Sequence, residues 1–347
     1  VPIITSENAE EVAANGCARS TVKETYEFIL GDLNKAIELL ANTKKTRSDK
    51  RYVSLDVAYG IRARVHLTMH NYADALKDAE AALASTSSVP YSSAAVSKPT
   101  FIDIEDASWM WGILITDKDR VSTTGICNFP SHMGSLNYGY ASVGGWRRIS
   151  PKLYNQIPES DVRKGWFLDD TGVSVNLPAA AQAYITKKGA PVYTQVKYGP
   201  MNDEWGSNNN ATDVILMRVE EMYLIKAEAQ AMNNDVSGGV NTLNSFVNTY
   251  RDPSYKCTAT TGEAVQEAVW HQRRIEFWGE GLAYFDIMRL NKGVNRLGCG
   301  FPKTAVFNIA AGDPVQIYSI PNKEVQYNPL LENNPLVSAP TPIPDEE

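Results

Sequence analysis

Residues 271–293 read HQRRIEFWGEGLAYFDIMRLNKG, a run in which aromatic rings and charged groups are mixed on all sides. A helix that lies on a protein surface carries one apolar stripe and one polar face instead. Glycines at 279 and 281 interrupt the run, and Gly293 closes it. We therefore predict two short helices that break near Gly279–Gly281 and are packed against neighbours on several sides.

The charged groups of this stretch need partners, because a buried and unpaired charge is costly. Glu276 and Glu280 lie four residues apart, on one turn of one helix. Glycoside hydrolysis needs two carboxylates on opposite sides of a bond, and two acids placed in this way do not easily flank a sugar. We therefore predict internal ion pairs with Arg273, Arg274 and Arg289, and no catalytic residue.

The composition is that of an ordinary globular protein, with 347 residues of which 43% are hydrophobic and 21% are charged. The net charge of −7 argues against nucleic-acid binding, which needs clustered Lys and Arg. Lys44-Lys45 with Arg47 is interpreted as a solvated loop. No apolar run reaches the roughly 18 residues of a membrane span. Phosphate-loop, zinc and calcium spacings are absent, so we predict no cofactor and no metal.

Four cysteines occur at positions 17, 127, 257 and 299, and none belongs to a CxxC pair. One disulfide is conceivable, and Cys257–Cys299 is the pair to test. The alternative is that all four are free thiols. Both interpretations stay open at this point, and the cysteines alone do not indicate a cellular compartment.

Residues 19–84 are predicted to be helical repeats. Thr21 and Glu24 form a capping-box pattern at the start of a helix that ends near Ala41. Two further helices, from about 54 to 69 and from Tyr72 onward, are joined by a short turn at His70-Asn71. A helical hairpin with small residues at its contact resembles a tetratricopeptide-type repeat, although the strict consensus is absent.

Residues 85–212 form a loop-rich insertion, because Ser, Thr, Gly, Pro and Asn become common and helical periodicity disappears. Trp109–Ile115 is predicted to be a short strand, and Tyr184–Tyr198 a hairpin that turns at Lys188-Gly189. Two segments, 120–147 and 199–210, are interpreted as irregular and polar loops with embedded aromatic residues.

Helical periodicity returns at Asp213, and two apolar stripes follow, which predicts a helix sandwiched between neighbours. Residues 213–293 therefore contain a second set of helical repeats and the two helices of the opening stretch. Residues 294–337 are loop-rich, with a short strand predicted at Val315–Ile320. Residues 338–347 are predicted to be a disordered tail.

Four segments in order now carry a resemblance to a known family. RRIEFWGEGLAYFDIMRLNKG resembles the C-terminal signature of the SusD/RagB family, and LMRVEEMYLIKAEAQA resembles its Arg-x-x-Glu helix. YSIPNKEVQYNPLLENNP resembles its terminal Ile-Pro and Asn-Pro pattern, and residues 19–84 resemble its central repeats. The resemblance implies a mainly α-helical fold of tetratricopeptide-like repeats with long irregular insertions and a few short strands, in one domain over 1–337.

The resemblance also implies a cellular location and a partner protein. Members of the family are nutrient-capturing lipoproteins on the external face of the outer membrane of Bacteroidetes, where they hand glycans, or in some cases peptides, to a SusC-like TonB-dependent transporter. They usually carry a helical region and a lipid-bearing Cys before the Val-Pro that opens this sequence. We therefore expect a C-terminal portion of a longer protein, with the lipid anchor absent from this chain.

The candidate sugar-binding residues are those of the types that commonly contact sugars in proteins. Flat aromatic rings stack on the apolar faces of pyranose rings, and Asn or Arg groups read the hydroxyls. Loops held on a rigid scaffold are favoured places for such contacts. The candidate ligand-binding residues are Asn128, Asn137, Tyr138, Tyr140, Trp146, Arg147, Trp205 and Asn208. The alternative is that these aromatics pin long loops to the core, which is the interpretation we prefer for Trp109 and Trp111.

Sequence alone therefore predicts a non-catalytic protein that binds an oligosaccharide and delivers it to the transporter. One alternative is a helical-repeat scaffold that docks the transporter without contacting a ligand, and another is the capture of peptides. An enzyme built on helices 263–293 is the least supported interpretation.

Overall fold

The computed structural model describes residues 2–43, 46–119, 122 and 128–344. It comprises two compact units, one formed by residues 39–283 and one by residues 1–38 with 284–347. The loop predicted at Lys44-Lys45, Cys127 and part of the segment 120–147 lie outside the described residues. Positions 345–347 of the predicted tail lie outside them too. The single domain expected over 1–337 stays a prediction.

Helices dominate the described residues, which confirms the mainly α-helical prediction. The α-helices are α1 (Ala9–Asn15), α2 (Val22–Asn42), α3 (Leu55–Thr68), α4 (Tyr72–Ser85), α5 (Ser93–Val96), α6 (Phe129–Met133), α7 (Pro151–Tyr154), α8 (Ala179–Lys187), α9 (Val219–Met232), α10 (Val236–Tyr250), α11 (Gly262–Glu276), α12 (Ala283–Arg289) and α13 (Asn322–Tyr327). The 3-10 turns are Ala141–Val143, Val162–Trp166, Met201–Asp203, Lys303–Ala305 and Pro314–Gln316.

Strands are few and short, as predicted. They are β1 (Trp109–Ile113), β2 (Val214–Arg218), β3 (Val294–Asn295) and β4 (Asn308–Ile309). β1 pairs with β2 in antiparallel register, with Trp109 opposite Arg218, and β3 pairs with β4. β2 corrects the prediction that the helix begins at Asp213, because a short apolar run fits a buried strand as well as a helix.

The helical hairpin α3–α4 was predicted and is present. Its turn places His70 at a φ of 60°. Ala75, Ala79 and Ala82 of α4 are fully buried and share an apolar cluster with residues of α3 and α9. Small side chains at this contact let the helices approach closely.

Helix α9 lies at the centre of the unit formed by residues 39–283. Met222 and Ile225 join the cluster with α3 and α4, whereas Leu224 and Ala227 join a second cluster with α10 and α11. The two apolar stripes therefore face two different sets of neighbours, as their spacing predicted.

The opening stretch forms two helices separated by glycines, as predicted. Helix α11 ends at Glu276 and α12 begins at Ala283. Gly279 and Gly281 between them have φ values of 81° and 83°, which side chains other than glycine rarely adopt. A Cβ atom on Gly279 would lie 2.7 Å from Cε of Met133, so the end of the Met133 side chain would also have to move.

In the other unit, one side chain joins the two ends of the sequence. The Oδ1 atom of Asn328 accepts from the backbone N–H of Cys17 at 3.1 Å, and its Nδ2 donates to the carbonyl of Cys17 at 2.7 Å. The predicted capping box of α2 is present, because the hydroxyl of Thr21 accepts from Glu24 N at 3.1 Å while the Glu24 carboxylate accepts from Thr21 N at 2.8 Å.

Two strand predictions are wrong. The segment read as a hairpin at Tyr184–Tyr198 contains the end of α8, in which the buried Ala181 and Ile185 are spaced by one helical turn. The alternation of apolar and polar residues that predicted the hairpin begins inside this helix, so it wrongly indicated a strand. At Val315–Ile320 the chain makes a 3-10 turn instead of a strand, because Asp313 caps it by accepting from Val315 N at 2.9 Å.

The hypothesised Cys257–Cys299 disulfide is wrong. Cys17, Cys257 and Cys299 are free thiols. Cys257 is buried in the α9–α10–α11 cluster, where its backbone N–H donates to Asn244 Oδ1 at 2.7 Å. Cys299 instead places its thiol 3.4 Å from the carbonyl oxygen of Leu297. Each cysteine is therefore held by its own local structure.

Candidate functional site

The two loop segments that carry the predicted contacts lie side by side. The first loop comprises residues 128–147 and the second comprises residues 205–210. The backbone N–H of Tyr138 donates to the carbonyl of Ser207 at 2.7 Å, and that of Gly206 donates to the carbonyl of Leu136 at 2.8 Å. All eight predicted residues therefore belong to one continuous region, although about 60 positions separate the two loops in the sequence.

The asparagines of the first loop form hydrogen bonds that join the first loop to the second. Asn128 caps α6 by accepting from Ser131 N at 3.0 Å, and its Nδ2 donates to the carbonyl of Asn210 at 2.9 Å. Asn137 is only 2% exposed, and its Nδ2 donates to the side-chain oxygen of Asn210. In this arrangement both amides position the loops and neither projects into solvent.

Two tyrosines of the first loop present their rings at the surface. Tyr138 is 46% exposed and Tyr140 is 44% exposed. The Nζ atom of Lys188 lies 5.7 Å from the centroid of the Tyr138 ring, and Cζ of Arg147 lies 5.6 Å from that of Tyr140. We call these four residues, together with His132 and Tyr184, the tyrosine surface.

His132, Tyr184 and Lys188 were missed by sequence reasoning. The His132 ring stacks on Tyr140 with centroids 4.7 Å apart, and the Tyr184 hydroxyl donates to the carbonyl of Asn137 at 3.2 Å. Burial raises the pKa of Tyr184, so its hydroxyl keeps its proton near neutral pH. Lys188 ends α8, the helix read as a hairpin, and a correct helix assignment would have placed it beside Tyr184.

The two tryptophans of the loops lie between the apolar core and the surface. Trp146 and Trp205 are half-buried and pack against one apolar cluster, formed by Leu136, Leu168, Ala181, Ile185 and Val196. Asn208 is exposed, and its carbonyl accepts from Asn210 Nδ2 at 3.3 Å. For the two indole rings, the packing favours the alternative in which aromatics pin the loops to the core.

A cleft lies elsewhere in the same unit. It is a cleft of about 480 Å³ lined by Tyr154, Tyr193 and by the carboxylates of Glu159, Asp169 and Asp170. Burial, with these carboxylates, raises the pKa of Tyr154 to about 12. The Asp169 carboxylate is engaged by the backbone N–H groups of Thr171 and Val173, at 2.8 and 2.9 Å. The charge of this cleft is therefore opposite to that of the tyrosine surface.

The carboxylates of the opening stretch form a buried ion network. Glu276 accepts from Arg251 at 2.8 Å, from Arg218 at 3.0 Å and from Arg163 at 3.2 Å. Glu280 accepts from Lys197 at 2.6 Å and from Arg218 at 2.9 Å. Internal ion pairs were predicted, and they are present.

The predicted partners in these ion pairs are wrong. Arg273 lies 3.7 Å from Glu221, Arg289 pairs with Asp286 at 2.8 Å, and the guanidinium of Arg274 lies over the ring of Trp270. The true partners of Glu276 come from positions up to 113 residues earlier in the chain. Sequence neighbours on one helix project in different directions, so proximity in sequence could not identify them.

The electrostatics of the network leave no free acid or base. Burial by itself favours the neutral form of Glu276, but Arg251, Arg218 and Arg163 hold the pKa of this carboxyl well below its usual value. Burial also opposes ionisation of Glu280, and Arg218 with Lys197 outweighs it and lowers the pKa. Burial lowers the pKa of Lys197 to about 8. Both carboxylates are therefore ionised and fully engaged at neutral pH.

A family model described as the SusD family matches residues 163–336, which is half of the chain. The chain belongs to the SusD family. The match contains Glu276, Glu280 and the four cations that pair with them, since Arg163 is its first position and Glu280 lies well inside it. The first loop lies before the matched residues, so it is a part of this SusD-family protein that the family model does not describe.

Solved structures share the fold of this SusD-family chain. A SusD-like carbohydrate-binding protein from Bacteroides vulgatus superimposes with a TM-score of 0.74 at 24% identity, covering 95% of this chain and 69% of its own. A SusD superfamily protein from Bacteroides thetaiotaomicron has a TM-score of 0.73 at 23% identity, with coverage of 92% and 68%. Among curated proteins, no sequence matches. In the part of the chain that the structure describes, no helix is long and apolar enough to cross a membrane.

Proposed function

We propose that this protein binds an oligosaccharide without cleaving it, at the external face of the outer membrane, and delivers it to a SusC-like TonB-dependent transporter. Membership of the SusD family supports the general role. A structural relative is described as a carbohydrate-binding protein, which supports a saccharide as the ligand. The observation that carries the proposal is the tyrosine surface, which is formed by residues of the first loop and of the C-terminal end of α8.

The geometry of the tyrosine surface suits sugar recognition. Tyr138 and Tyr140 are separated only by Gly139, so their Cα atoms lie within about 7 Å of each other. Their partly exposed rings offer apolar surface, with His132 stacked on Tyr140 and the donors of Arg147 and Lys188 over the two rings. Ligand sites combine apolar faces with a few placed polar groups in this way. The asparagine-tied loops below them supply a pre-formed support, which limits the entropy lost on binding.

A non-catalytic binding role also agrees with the burial and ion pairing of Glu276 and Glu280. Glycoside hydrolysis requires one carboxylic acid that donates a proton and a second carboxylate across the scissile bond. Glu276 is fully buried among three guanidinium groups, and Glu280 is bound by Lys197 and Arg218. Neither carboxylate is exposed to a substrate.

The test is a glycan-array screen followed by titration calorimetry with a bound saccharide. We expect Tyr138→Ala and Tyr140→Ala each to weaken binding by about tenfold, because aromatic anchors at binding sites contribute about 1–2 kcal/mol or more. Incubation of the saccharide with the protein should release no new reducing ends.

Tyr52→Ala is the matched control. Tyr52 is 56% exposed and carries a guanidinium, that of Arg51, over its ring at 5.7 Å, but it lies outside the two loops. Its replacement should leave affinity unchanged. Unaltered affinity in both loop variants would remove the tyrosine surface from the proposal, and hydrolysis by a clean preparation would overturn the non-catalytic role.

Delivery to a transporter is tested separately. The full-length protein, expressed in its native host with an affinity tag, should co-purify from outer-membrane extracts with a TonB-dependent transporter. Co-purification that persists in a protein binding no saccharide would favour the scaffold alternative, in which the helical repeats dock the transporter without contacting a ligand.

A further inference from the structure

We infer that the ligand of the tyrosine surface is an acidic oligosaccharide, one that carries carboxylate or sulfate groups. The inference rests on the proposed function and names the substrate class of the same site. Two cations are held on aromatic rings there. Lys188 Nζ lies 5.7 Å from the centroids of both Tyr138 and Tyr184, and the guanidinium of Arg147 lies over Tyr140.

The charges of these cations are not neutralised by the protein. Arg147, Arg148, Lys187 and Lys188 make no ion pair with a carboxylate anywhere in the described ranges of the chain. Other cations of the same unit do find carboxylates, as Lys226 does with Glu80 at 2.9 Å and Lys164 with Glu159 at 2.5 Å. The tyrosine surface is therefore a local excess of positive charge on a chain whose net charge is −7.

Acids do occur next to the second loop in the sequence, and they form no ion pair with these cations. Asp203 and Glu204 are exposed and directly precede the second loop. Neither forms an ion pair within the described residues, so the cations keep their charge available to a ligand.

The cations are also oriented. The Nη1 group of Arg147 donates to the carbonyl of Gly145 at 2.7 Å, and Nη2 lies 3.4 Å from Nδ1 of His132. A ring face attracts a cation without satisfying its hydrogen bonds. Lys188 thus keeps its ammonium donors for a ligand while two rings restrict where the ammonium can lie. Less conformational entropy is lost when such a group pairs with an anion.

This arrangement fits a saccharide that offers both a sugar ring for stacking and an acidic substituent for ion pairing. A sugar ring stacks on an exposed tyrosine, and an acidic substituent meets the ammonium or guanidinium beside that ring. Arg binds carboxylate and sulfate-like groups with paired N–H donors, and Lys acts as a point charge. Because Lys188 is exposed and Arg147 is partly exposed, each ion pair with a ligand contributes only modestly and is screened by salt. Binding should therefore weaken as salt concentration rises.

The experiment compares matched charged and neutral probes by titration calorimetry at low and high salt. The probes are an oligogalacturonide and its carboxyl-reduced neutral form, and a chondroitin sulfate oligosaccharide and its desulfated form. We expect a charged probe to bind at least about tenfold more tightly than its neutral partner at low salt, and the difference to shrink in 0.5 M salt.

Lys188→Met and Arg147→Gln are the informative variants, since each removes a charge and keeps most of the side-chain length. Each should weaken binding of the charged probe by about threefold to tenfold and weaken binding of its neutral partner by clearly less, because the neutral sugar loses only a hydrogen-bond donor. Lys77→Met is the matched control, because Lys77 is exposed on α4, outside the two loops, and its loss changes the net charge equally.

The outcomes separate this inference from the proposed function. If neutral probes bind as tightly as charged ones, and Tyr140→Ala weakens the binding of both, sugar binding stands and the acidic class is overturned. If no saccharide binds, both fail. If polyglutamate binds with dependence on Lys188 and Arg147 while the acidic saccharides do not, the ligand is an acidic peptide and the inference is wrong. An unchanged affinity of Lys188→Met and Arg147→Gln for a charged probe also overturns it.

Discussion

The ion network around Glu276 and the tyrosine surface both combine aromatic rings with cations. They differ in whether carboxylates of the protein pair with those cations. In the network, Arg163, Arg218 and Arg251 are fully buried, and each pairs with Glu276. On the tyrosine surface, Lys188 and Arg147 lie over rings and pair with no carboxylate of the described residues. Mixed rings and charges therefore mark a structural centre in one place and a candidate binding surface in the other.

Desolvation explains the difference. A charge removed from water needs a partner of opposite sign, so the charges of a buried cluster pair with one another and offer nothing to a ligand. A cation that stays in water carries no such requirement. The comparison teaches that the burial and pairing of charged groups, and not their density in the sequence, distinguish a site that holds the fold from one that can bind.

The largest effect is expected from Glu276→Gln, which removes the charge and keeps the shape. It leaves three guanidinium groups buried with less compensation, so the free energy of unfolding should fall by about 3–5 kcal/mol. Urea unfolding followed by tryptophan fluorescence measures it. The control is Glu80→Gln, whose exposed pair with Lys226 should contribute less than about 1 kcal/mol. Equal losses in the two variants would contradict the assigned role of the network.

A smaller effect is expected from acidification. The pKa values of Glu276 and Glu280 are lowered by folding, so the unfolded state binds more protons in acid. Their contribution to stability is complete above the unfolded-state pKa of about 4.3 and is lost as the pH falls below it. Wild type should therefore lose more stability between pH 7 and pH 4 than Glu280→Gln, which has one such group fewer. Parallel losses in the two proteins would show that folding does not lower the pKa of Glu280.

The smallest effect on stability is expected on the tyrosine surface. Arg147→Gln removes a partly exposed cation that makes one backbone hydrogen bond and lies near the rings of Tyr140 and His132, so the free energy of unfolding should change by less than about 1 kcal/mol. Differential scanning fluorimetry beside Glu276→Gln makes the comparison. A loss as large as that of Glu276→Gln would mean that Arg147 holds the fold, and the contrast between the two regions would disappear.

Part of the candidate site was readable in the sequence. Tyr138, Tyr140 and Arg147 were predicted because aromatic and polar residues cluster in a loop without periodicity, and the structure brings the two predicted loops together. Lys188 was missed because it ends a helix, α8, that was read as a hairpin. Trp146 and Trp205 have the right residue type but pack against the core, and only burial reveals this. Their role and that of the whole surface in binding stay a prediction.

Local patterns were sufficient for the elements of the fold. Apolar spacing determined α3, α4 and the two faces of α9, the capping box determined the start of α2, and paired glycines determined the break after α11. These features depend on residues within a few positions of one another, so the sequence alone carries them. The motifs in order were likewise sufficient for the family.

Only the tertiary structure decided which groups meet. The partners of Glu276 are Arg163, Arg218 and Arg251, and not the arginines beside it in the sequence. The cations of the tyrosine surface come from two separate segments in the same way. Pairing depends on how distant segments pack and on how much water each group loses, and both quantities exist only once the chain is folded.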